Sequence, residues 1–204
     1  EIEMESQKKQ ARDAGKFTNK LVLDYEGRDT IFIGYEQTEA QVIIDGLFKG
    51  DIPSEFLAEG DEGIIVLNQT PFYAESGGQV GDIGKIQGRN FEFIVKDTHK
   101  IKDKIFGHAG YVQAGKLNLK DKANAIIDIS HRNNIKRNHS ATHLLHKALK
   151  NILGDHVEQK GSLVDSVKTR FDFSHNKTLT QKEIKKVELI VNSEILQNQS
   201  TQTK

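Results

Sequence analysis

Residues 123–153 read ANAIIDISHRNNIKRNHSATHLLHKALKNIL, and within this stretch a strand pattern gives way to a helical one. Ala123–Ile129 is rich in small and β-branched residues and predicts a strand. Farther along, apolar residues recur every three or four positions, so we expect a helix that Asn138 or Ser140 caps and Gly154 ends. One face of this helix carries the apolar stripe that must pack on a core: Ala141, Leu144, Leu145, Ala148 and Ile152.

Ahead of this stretch, residues 17–130 alternate short apolar runs with Gly, Asn, Asp and Pro. Helical periodicity is almost absent, and several short strands separated by turn residues are typical of a small barrel or a sandwich. Six predicted strands carry the pattern: Thr30–Tyr35, Ala40–Phe48, Gly63–Leu67, Phe91–Lys96, Ile105–Val112 and Ala123–Ile129.

Residues 131–204 form a second predicted unit. After the helix come two strand-like pieces, Gly161–Val164 and Thr169–Phe173. Thr180 and Glu183 then make a capping box before a second amphipathic helix. The apolar face of that helix consists of Ile184, Val187, Ile190, Val191 and Ile195. A strand-rich unit followed by a mixed helical unit predicts an α+β chain.

The chain has 204 residues with 29 basic and 29 acidic side chains, and a net charge of zero gives no general attraction to nucleic acid or membranes. The charge is unevenly distributed. Residues 131–204 carry 13 basic and 7 acidic side chains, whereas residues 1–130 carry 16 and 22. This division is typical either of two solvated surfaces or of a second unit that faces a polyanion.

Several features of the sequence limit where the protein works. No apolar run approaches the about 18 residues of a transmembrane helix, and no secretory signal peptide is visible. The sequence begins without Met, so we expect a piece of a longer protein, and residues 1–16 have the composition of a linker helix. Cysteine is absent, which excludes disulfides and thiolate ligands within the chain. A reducing compartment, the cytoplasm, is therefore expected.

Two histidines one helical turn apart, His139 and His143, lie on the predicted helix nearly opposite its apolar stripe. Imidazoles at this spacing can reach one zinc ion, so half of a zinc site is one interpretation and a pair of surface histidines is the other. His146 lies on the same face and is a candidate third ligand. No Glu follows His139, so the helical metalloprotease motif is missing. Folding could bring other histidines near, namely His131, His156 and His175, whereas His99 and His108 are interpreted as ordinary surface residues.

Four motifs follow one another along the chain: Thr70–Asp82, which contains two adjacent glycines, then Asn138–His146, Gln159–Val164 and Arg170–His175. In order and spacing they resemble the editing region of the alanyl-tRNA synthetase family. Residues 1–16 resemble the charged helix that precedes this region, so the resemblance covers essentially the whole chain.

The resemblance implies a linker helix over residues 1–16, a small antiparallel β-barrel over residues 17–130, and an α/β editing core over residues 131–204. It implies that His139 and His143 are two zinc ligands, with the other two supplied by a Cys-x-x-x-His motif beyond this chain. The core is then truncated and the zinc site incomplete. The resemblance also implies ATP as a cofactor of the whole enzyme, but Ser76–Gln79 lacks the Gly-Lys-Ser/Thr ending of a phosphate-binding loop, so we expect no ATP site here.

In the family, an editing site hydrolyses the ester that joins serine or glycine to the tRNA for alanine. By resemblance, Thr142 and Gln159 are the candidate catalytic residues, since an amide can hydrogen-bond the hydroxyl that distinguishes serine. Ser76–Gln79 is either a loop that approaches a ligand or a tight turn. The expected tRNA-binding residues, which a solvated helix face would equally explain, are Arg132, Lys136, Arg137 and Lys147, with Lys150 beside them.

The resemblance thus implies a piece of an ATP-dependent alanine ligase with hydrolytic proofreading, which alone is expected to be inactive. Its partners would be tRNA for alanine and the other domains of the parent chain, with no membrane and no DNA. Three alternatives remain open at this point: a freestanding editing protein, a tRNA-binding module without catalysis, and an unrelated zinc hydrolase that uses His139, His143 and His146.

Overall fold

Six antiparallel strands close into a small barrel in a computed structural model of the chain, which describes residues 23–199. The linker helix predicted over residues 1–16 lies outside the described residues. The strands are β1 (Ile31–Phe32), β2 (Glu39–Lys49), β3 (Ile52–Pro53), β4 (Phe56–Ala58), β5 (Glu62–Leu67), β6 (Gln69–Thr70), β7 (Gly84–Gly88), β8 (Phe91–Lys102), β9 (Ile105–Asn118), β10 (Lys122–Ile127), β11 (Gln159–Val164) and β12 (Thr169–Phe173). The helices are α1 (Ile129–Leu153) and α2 (Gln181–Gln197).

The barrel closes because β10 pairs along both of its edges, with β7 on one side and β2 on the other. The strand order around the ring is β10-β7-β8-β9-β5-β2. Along β10, Ala123, Ala125 and Ile127 are buried while the residues between them are less so, as the two-residue period of a strand requires. These small side chains share one core with large ones such as Phe93. The predicted α+β class and the small antiparallel barrel are confirmed.

Strand β7 completes the barrel although sequence analysis did not predict it. Its sequence GKIQG contains one apolar side chain, Ile86, which is fully buried. Gly84 allows β10 to approach, because a Cβ at this position would lie 2.2 Å from the carbonyl oxygen of Ile126. Because backbone pairing holds β7 in place, its sequence does not need the alternation of apolar and polar residues that would have predicted a strand.

Three predicted strands differ clearly in their bounds, and one of them, Phe91–Lys96, continues as β8 to Lys102. The run Thr30–Tyr35 is a strand only at Ile31–Phe32, which pairs in parallel with β6, and the side chain of Tyr35 is exposed. Strand β9 runs on from the predicted Val112 to Asn118, and its last residues pair with β4. The apolar pattern therefore identified the barrel strands better than it identified their ends.

His108 is buried, in contrast to the surface position that the sequence suggested. Its Nδ1 lies 2.9 Å from the carbonyl oxygen of Ile65, and its Nε2 lies 2.7 Å from the hydroxyl of Thr70. Because a carbonyl only accepts, Nδ1 carries the proton and Nε2 accepts from Thr70. Burial lowers the pKa of His108 to about 4, so the ring is neutral near pH 7. A histidine can fill a barrel core when both of its nitrogens have partners.

Helix α1 begins 10 or 12 residues earlier than the two predicted caps would place it. Asp128, rather than Asn138 or Ser140, caps its N-terminus and accepts a hydrogen bond from the backbone N–H of His131 at 2.9 Å. The additional turns are mostly polar, so helical periodicity does not reveal them. The predicted end is confirmed, since the N–H of Gly154 closes the last turn at 2.9 Å.

Helices α1 and α2 pack with the hairpin β11–β12 around a second, smaller core. The predicted capping box of Thr180 and Glu183 at the start of α2 is confirmed. Leu144, predicted to lie in the apolar stripe of α1, is half-buried, whereas the neighbouring Leu149 is buried. The buried residues of this core are Ala148, Leu149, Val157 and Val187. Within residues 23–199, neither helix has the length and apolar character needed to cross a membrane.

Candidate active site

A loop of the barrel, residues 76–79, reaches the hairpin and joins the two units. The carbonyl oxygen of Gly78 accepts a hydrogen bond from the N–H of Val164 at 2.8 Å, and the N–H of Val80 donates to the carbonyl oxygen of Val164 at 3.1 Å. Gly78 has φ +87°, and a Cβ there would lie 2.4 Å from the carbonyl oxygen of Ser162. Close pairing of loop and hairpin therefore requires glycine at this position.

A cleft of about 140 Å³ lies where this loop, helix α1 and the hairpin meet. The barrel contributes Gly77 and Gln79, and the rest of the lining comes from α1 and the hairpin. The lining residues from these later elements are His139, Thr142, His143, His146, Gln159, Ser162, Val164 and Phe171. The two expected zinc ligands, His139 and His143, and the two expected catalytic residues, Thr142 and Gln159, therefore share one cleft, which is built from both units.

His139 and His143 face each other inside this cleft. Their Nε2 atoms are 3.1 Å apart, and their rings stack at 21° with centroids 5.0 Å apart. The other nitrogen of His139, Nδ1, lies 2.5 Å from Oε1 of Gln79. Burial, and then the nearby charge of His143, lower the pKa of His139. Both effects favour the neutral ring, which is the form that binds metal ions.

The histidine pair fits two positions of a tetrahedral zinc site. With Zn–N bonds of about 2.0–2.1 Å, two ligand nitrogens stand about 3.3 Å apart, close to the distance between the two Nε2 atoms. Among residues 23–199, no three side chains of the types His, Asp or Glu are grouped to hold a metal ion. The described part of the chain thus offers a pair of nitrogen ligands.

His146 lines the same cleft but is oriented differently. Its ring packs on Phe171 with centroids 4.9 Å apart, and its Nε2 is buried without a hydrogen-bond partner in the described part of the chain. The other candidate contributors do not line the cleft. His156 pairs instead with His175, with Nε2 and Nδ1 2.9 Å apart on the exposed surface, and His131 sits in the first turn of α1.

Thr142 lines the cleft from α1, and Gln159 lines it from β11. Thr142 is 8% exposed, and its hydroxyl lies 2.8 Å from the carbonyl oxygen of Asn138 and 2.6 Å from the hydroxyl of Thr169. Gln159 is exposed, and its amide nitrogen donates to the hydroxyl of Ser162 at 3.2 Å. Thr142 is therefore held in the wall of the cleft, whereas Gln159 can exchange its partner for a ligand.

Three of the four cations predicted to bind tRNA, Lys136, Arg137 and Lys147, are exposed on α1. Lys136 and Lys147 are 11 residues apart, so they project within about 20° of each other and stand about 16 Å apart along the helix. His143 lies between them on the same side of the helix. The exposed edge of the cleft is therefore flanked by positive charge.

Arg132 differs from these cations because its guanidinium is turned inward. It forms a fork with Asp82, whose carboxylate also accepts from the N–H of Tyr73, and it donates to the carbonyl oxygens of Gly34 and Pro71 at 2.8 Å and 2.9 Å. The side chains of Arg132 and Asp82 are 13% and 2% exposed. With these donors occupied, Arg132 ties α1 to the barrel rather than presenting a cation to a partner.

Three contacts of this site were not expected from the sequence: Gln79 with His139, Phe171 with His146, and Thr169 with Thr142. Gln79 comes 60 residues before His139, and only the pairing of its loop with the hairpin brings the two together. The pair of glycines in Thr70–Asp82 indicated that the backbone approaches another group closely. It did not indicate which group that is. Both interpretations of this loop are compatible with the structure, since it is a tight turn that also lines the cleft.

A family model described as class II (A) tRNA synthetases matches residues 1–131. The alanine–tRNA ligase of Dechloromonas aromatica is 52% identical over 201 residues, which cover 98% of this chain and 23% of the relative. That of Polynucleobacter asymbioticus is 50% identical over 205 residues, covering 100% and 24%. The chain therefore spans about a quarter of the length of the curated relatives that it matches. With more than half of its residues matched by the family model, the chain belongs to the class II (A) tRNA synthetases.

Proposed function

We propose that this chain is the proofreading segment of an alanine–tRNA ligase and that its cleft hydrolyses seryl- and glycyl-tRNA for alanine. The observation that carries the proposal is the pair of Nε2 atoms, 3.1 Å apart, that His139 and His143 present beside Gln159 and Thr142. The whole protein would attach alanine to its tRNA with ATP, in the cytoplasm, and ATP would bind outside this segment. Its partners would be the tRNA and the remaining domains of the parent chain.

The need for such a site follows from the size of alanine. A pocket that accepts alanine cannot strongly exclude glycine, because one methylene changes binding by only about 1–3 kcal/mol, and it rejects an added hydroxyl poorly as well. A second site that hydrolyses the wrong ester removes these errors. Such a site must recognise a small amino acid at the end of a long polyanion. A small cleft with cations at its edge suits this task.

The residues of the cleft divide this work. A zinc ion held by His139 and His143 would polarise and orient the ester towards a water molecule. The amide of Gln159, which donates to Ser162, would instead donate to the hydroxyl of a bound serine. Thr142 would shape the wall, since its hydroxyl is already engaged by Asn138. Alanine lacks the hydroxyl and would gain no bond from Gln159.

The cations on α1 would hold the phosphates near the end of the tRNA. Lys147→Glu should weaken tRNA binding. It should also make the fall of log affinity with log salt concentration less steep, with a slope smaller in magnitude by about one. Lys186→Glu makes the same change of charge at an exposed position of α2 and is the matched control. Equal effects of the two variants would support the alternative in which these lysines are a solvated surface.

The deciding experiment measures the loss of the ester from tRNA for alanine that has been charged with serine, with alanine-charged tRNA beside it. We would test the 204-residue chain with zinc, and also an alanine–tRNA ligase of Dechloromonas aromatica in which this chain replaces the matching segment. We expect the chain alone to be inactive and the chimaera to hydrolyse the seryl ester selectively. Gln159→Leu should remove the selectivity, whereas Gln197→Leu on α2 should not.

Two outcomes would oppose the proposal. A chimaera that charges tRNA with alanine but leaves the seryl ester intact would indicate a tRNA-binding module without catalysis. Hydrolysis of both esters at equal rates would refute a discriminating role for Gln159. If His146→Ala abolished zinc binding while leaving the fold intact, the alternative of an unrelated zinc hydrolase would gain support instead.

A further inference from the structure

We propose that Gln79, supplied by the barrel, is a positioning residue that fixes the tautomer of His139 and so directs the free nitrogen of that ring into the cleft. The inference rests on the proposed function only for the metal ion that the free nitrogen would take. The position of the proton on the imidazole of His139 is a separate claim, and it can be observed without metal, tRNA or catalysis.

The hydrogen bond between Gln79 and His139 can run in only one direction. Oε1 of Gln79 lies 2.5 Å from Nδ1 of His139. An amide oxygen has no hydrogen to give, so Nδ1 must be the donor. In a neutral imidazole only one nitrogen carries a proton, which leaves Nε2 of His139 with a free lone pair.

The free lone pair of His139 lies beside the ring of His143. Nε2 of His139 is 3.1 Å from Nε2 of His143, with the two rings stacked. The opposite tautomer would place a hydrogen on Nε2 of His139, between the two nitrogens that the cleft brings together. The contact with Gln79 therefore selects the one protonation pattern in which His139 can serve as a ligand through Nε2.

Backbone hydrogen bonds hold the loop that carries Gln79. The backbone groups of Ser76 and Gln79 bond each other in both directions, at 3.0 Å and 3.1 Å. On its far side the loop pairs with Val164 of β11, and at Gly78 it packs so closely that a Cβ there would lie 2.4 Å from the carbonyl oxygen of Ser162. A side chain on such a support holds its partner more firmly than one on a free loop. The barrel thus contacts the imidazole of His139 through the side-chain amide of Gln79.

Three replacements of known shape separate this role from mere packing. Gln79→Leu keeps the bulk and removes the acceptor, whereas Gln79→Glu keeps an acceptor oxygen in the same place. Gln87→Leu makes the first change at an exposed glutamine of β7 and is the matched control. Thermal unfolding of each variant would show that the fold is retained.

The experiment uses the 204-residue chain labelled with ¹⁵N in histidine, first without metal at about pH 8. Long-range ¹H–¹⁵N spectra should show His139 protonated at Nδ1 in the unchanged chain, in Gln79→Glu and in Gln87→Leu, and at Nε2 or in a mixture in Gln79→Leu. Competition with a chelator for Zn²⁺ should then show affinity lowered about 10- to 100-fold in Gln79→Leu alone, the usual cost of losing a residue that orients a metal ligand.

A spectrum in which the unchanged chain carries the proton on Nε2 of His139 would overturn the proposal. So would a Gln79→Leu variant that folds and keeps both the Nδ1 tautomer and the zinc affinity. If neither the unchanged chain nor any variant bound Zn²⁺, the NMR spectra alone would test the role of Gln79. The zinc ion in the proposed function would then be refuted separately. A chimaera without hydrolysis would likewise oppose the proposed function and leave the tautomer result standing.

Discussion

Acid should destabilise the barrel through one buried imidazole, that of His108. Burial holds its pKa at about 4 in the folded chain, against an ordinary value of 6.5. Between these values the unfolded chain binds a proton that the folded chain does not, so this contribution to stability is complete above pH 6.5 and is lost as the pH falls towards 4. At about 1.4 kcal/mol for each pKa unit, the loss amounts to about 3 kcal/mol.

The assay compares the free energy of unfolding in urea at about pH 7 and about pH 4, for the unchanged chain and for His108→Gln. A glutamine amide can donate to the carbonyl of Ile65 and accept from Thr70, but it does not titrate. The unchanged chain should lose about 3 kcal/mol more than this variant on acidification. His156→Gln removes an exposed histidine instead and should keep the full loss.

Equal losses in the unchanged chain and in His108→Gln would refute this reasoning. An NMR titration in which His108 gains its proton near pH 6.5 in the folded chain would refute it more directly. A proton found on Nε2 at neutral pH would contradict the assignment of Thr70 as the donor.

Three further predictions concern the loop contact at Gly78, the ion pair of Arg132 and the cap of α2. Gly78→Ala should lower the free energy of unfolding by about 2 kcal/mol more than Gly77→Ala, measured in urea: both positions have positive φ, but only the Cβ at Gly78 would meet the facing strand, 2.4 Å from a carbonyl oxygen. Arg132→Lys should cost about 3 kcal/mol or more in thermal unfolding because the fork to a buried carboxylate is lost. The same change at Arg170, whose ion pair is exposed, should cost less than about 1 kcal/mol. Similar costs at the two sites would contradict the structural role of the Arg132–Asp82 pair. Thr180→Ala should destabilise α2 by about 1 kcal/mol, seen as a lower Tm, and an unchanged Tm would mean that the capping box contributes nothing.

The sequence predicted the barrel from local patterns and missed what depends on long-range contact. Ala123–Ile129 was expected to be a strand, and most of it is, because its alternating apolar residues are the ones that the barrel core buries. Strand β7 was missed because its pairing partners, not its side chains, make it a strand. Asp128 was missed as a cap because the turns that follow it are mostly polar.

The candidate site shows the same division. Spacing along one helix was enough to place His139 and His143 together, since one turn separates them. Gln79 could not be assigned from spacing, because only the fold brings it to His139. Arg132 was predicted to lie with the cations on α1, and nothing in its sequence neighbourhood shows that Asp82, 50 residues earlier, holds it. His108 was assigned to the surface because its two buried partners are likewise distant in sequence.

The pairing of the 76–79 loop with the hairpin also sets an order of events during synthesis. Ser162 follows Gly77 by 85 residues. At about 5–20 residues per second, a ribosome needs about 4–17 s to supply the second partner after the first. During that interval the barrel strands can close while the glycine-rich loop still faces water or a chaperone. The cleft is therefore assembled late, and a pause in translation between these two segments would prolong the time for which its barrel wall stands alone.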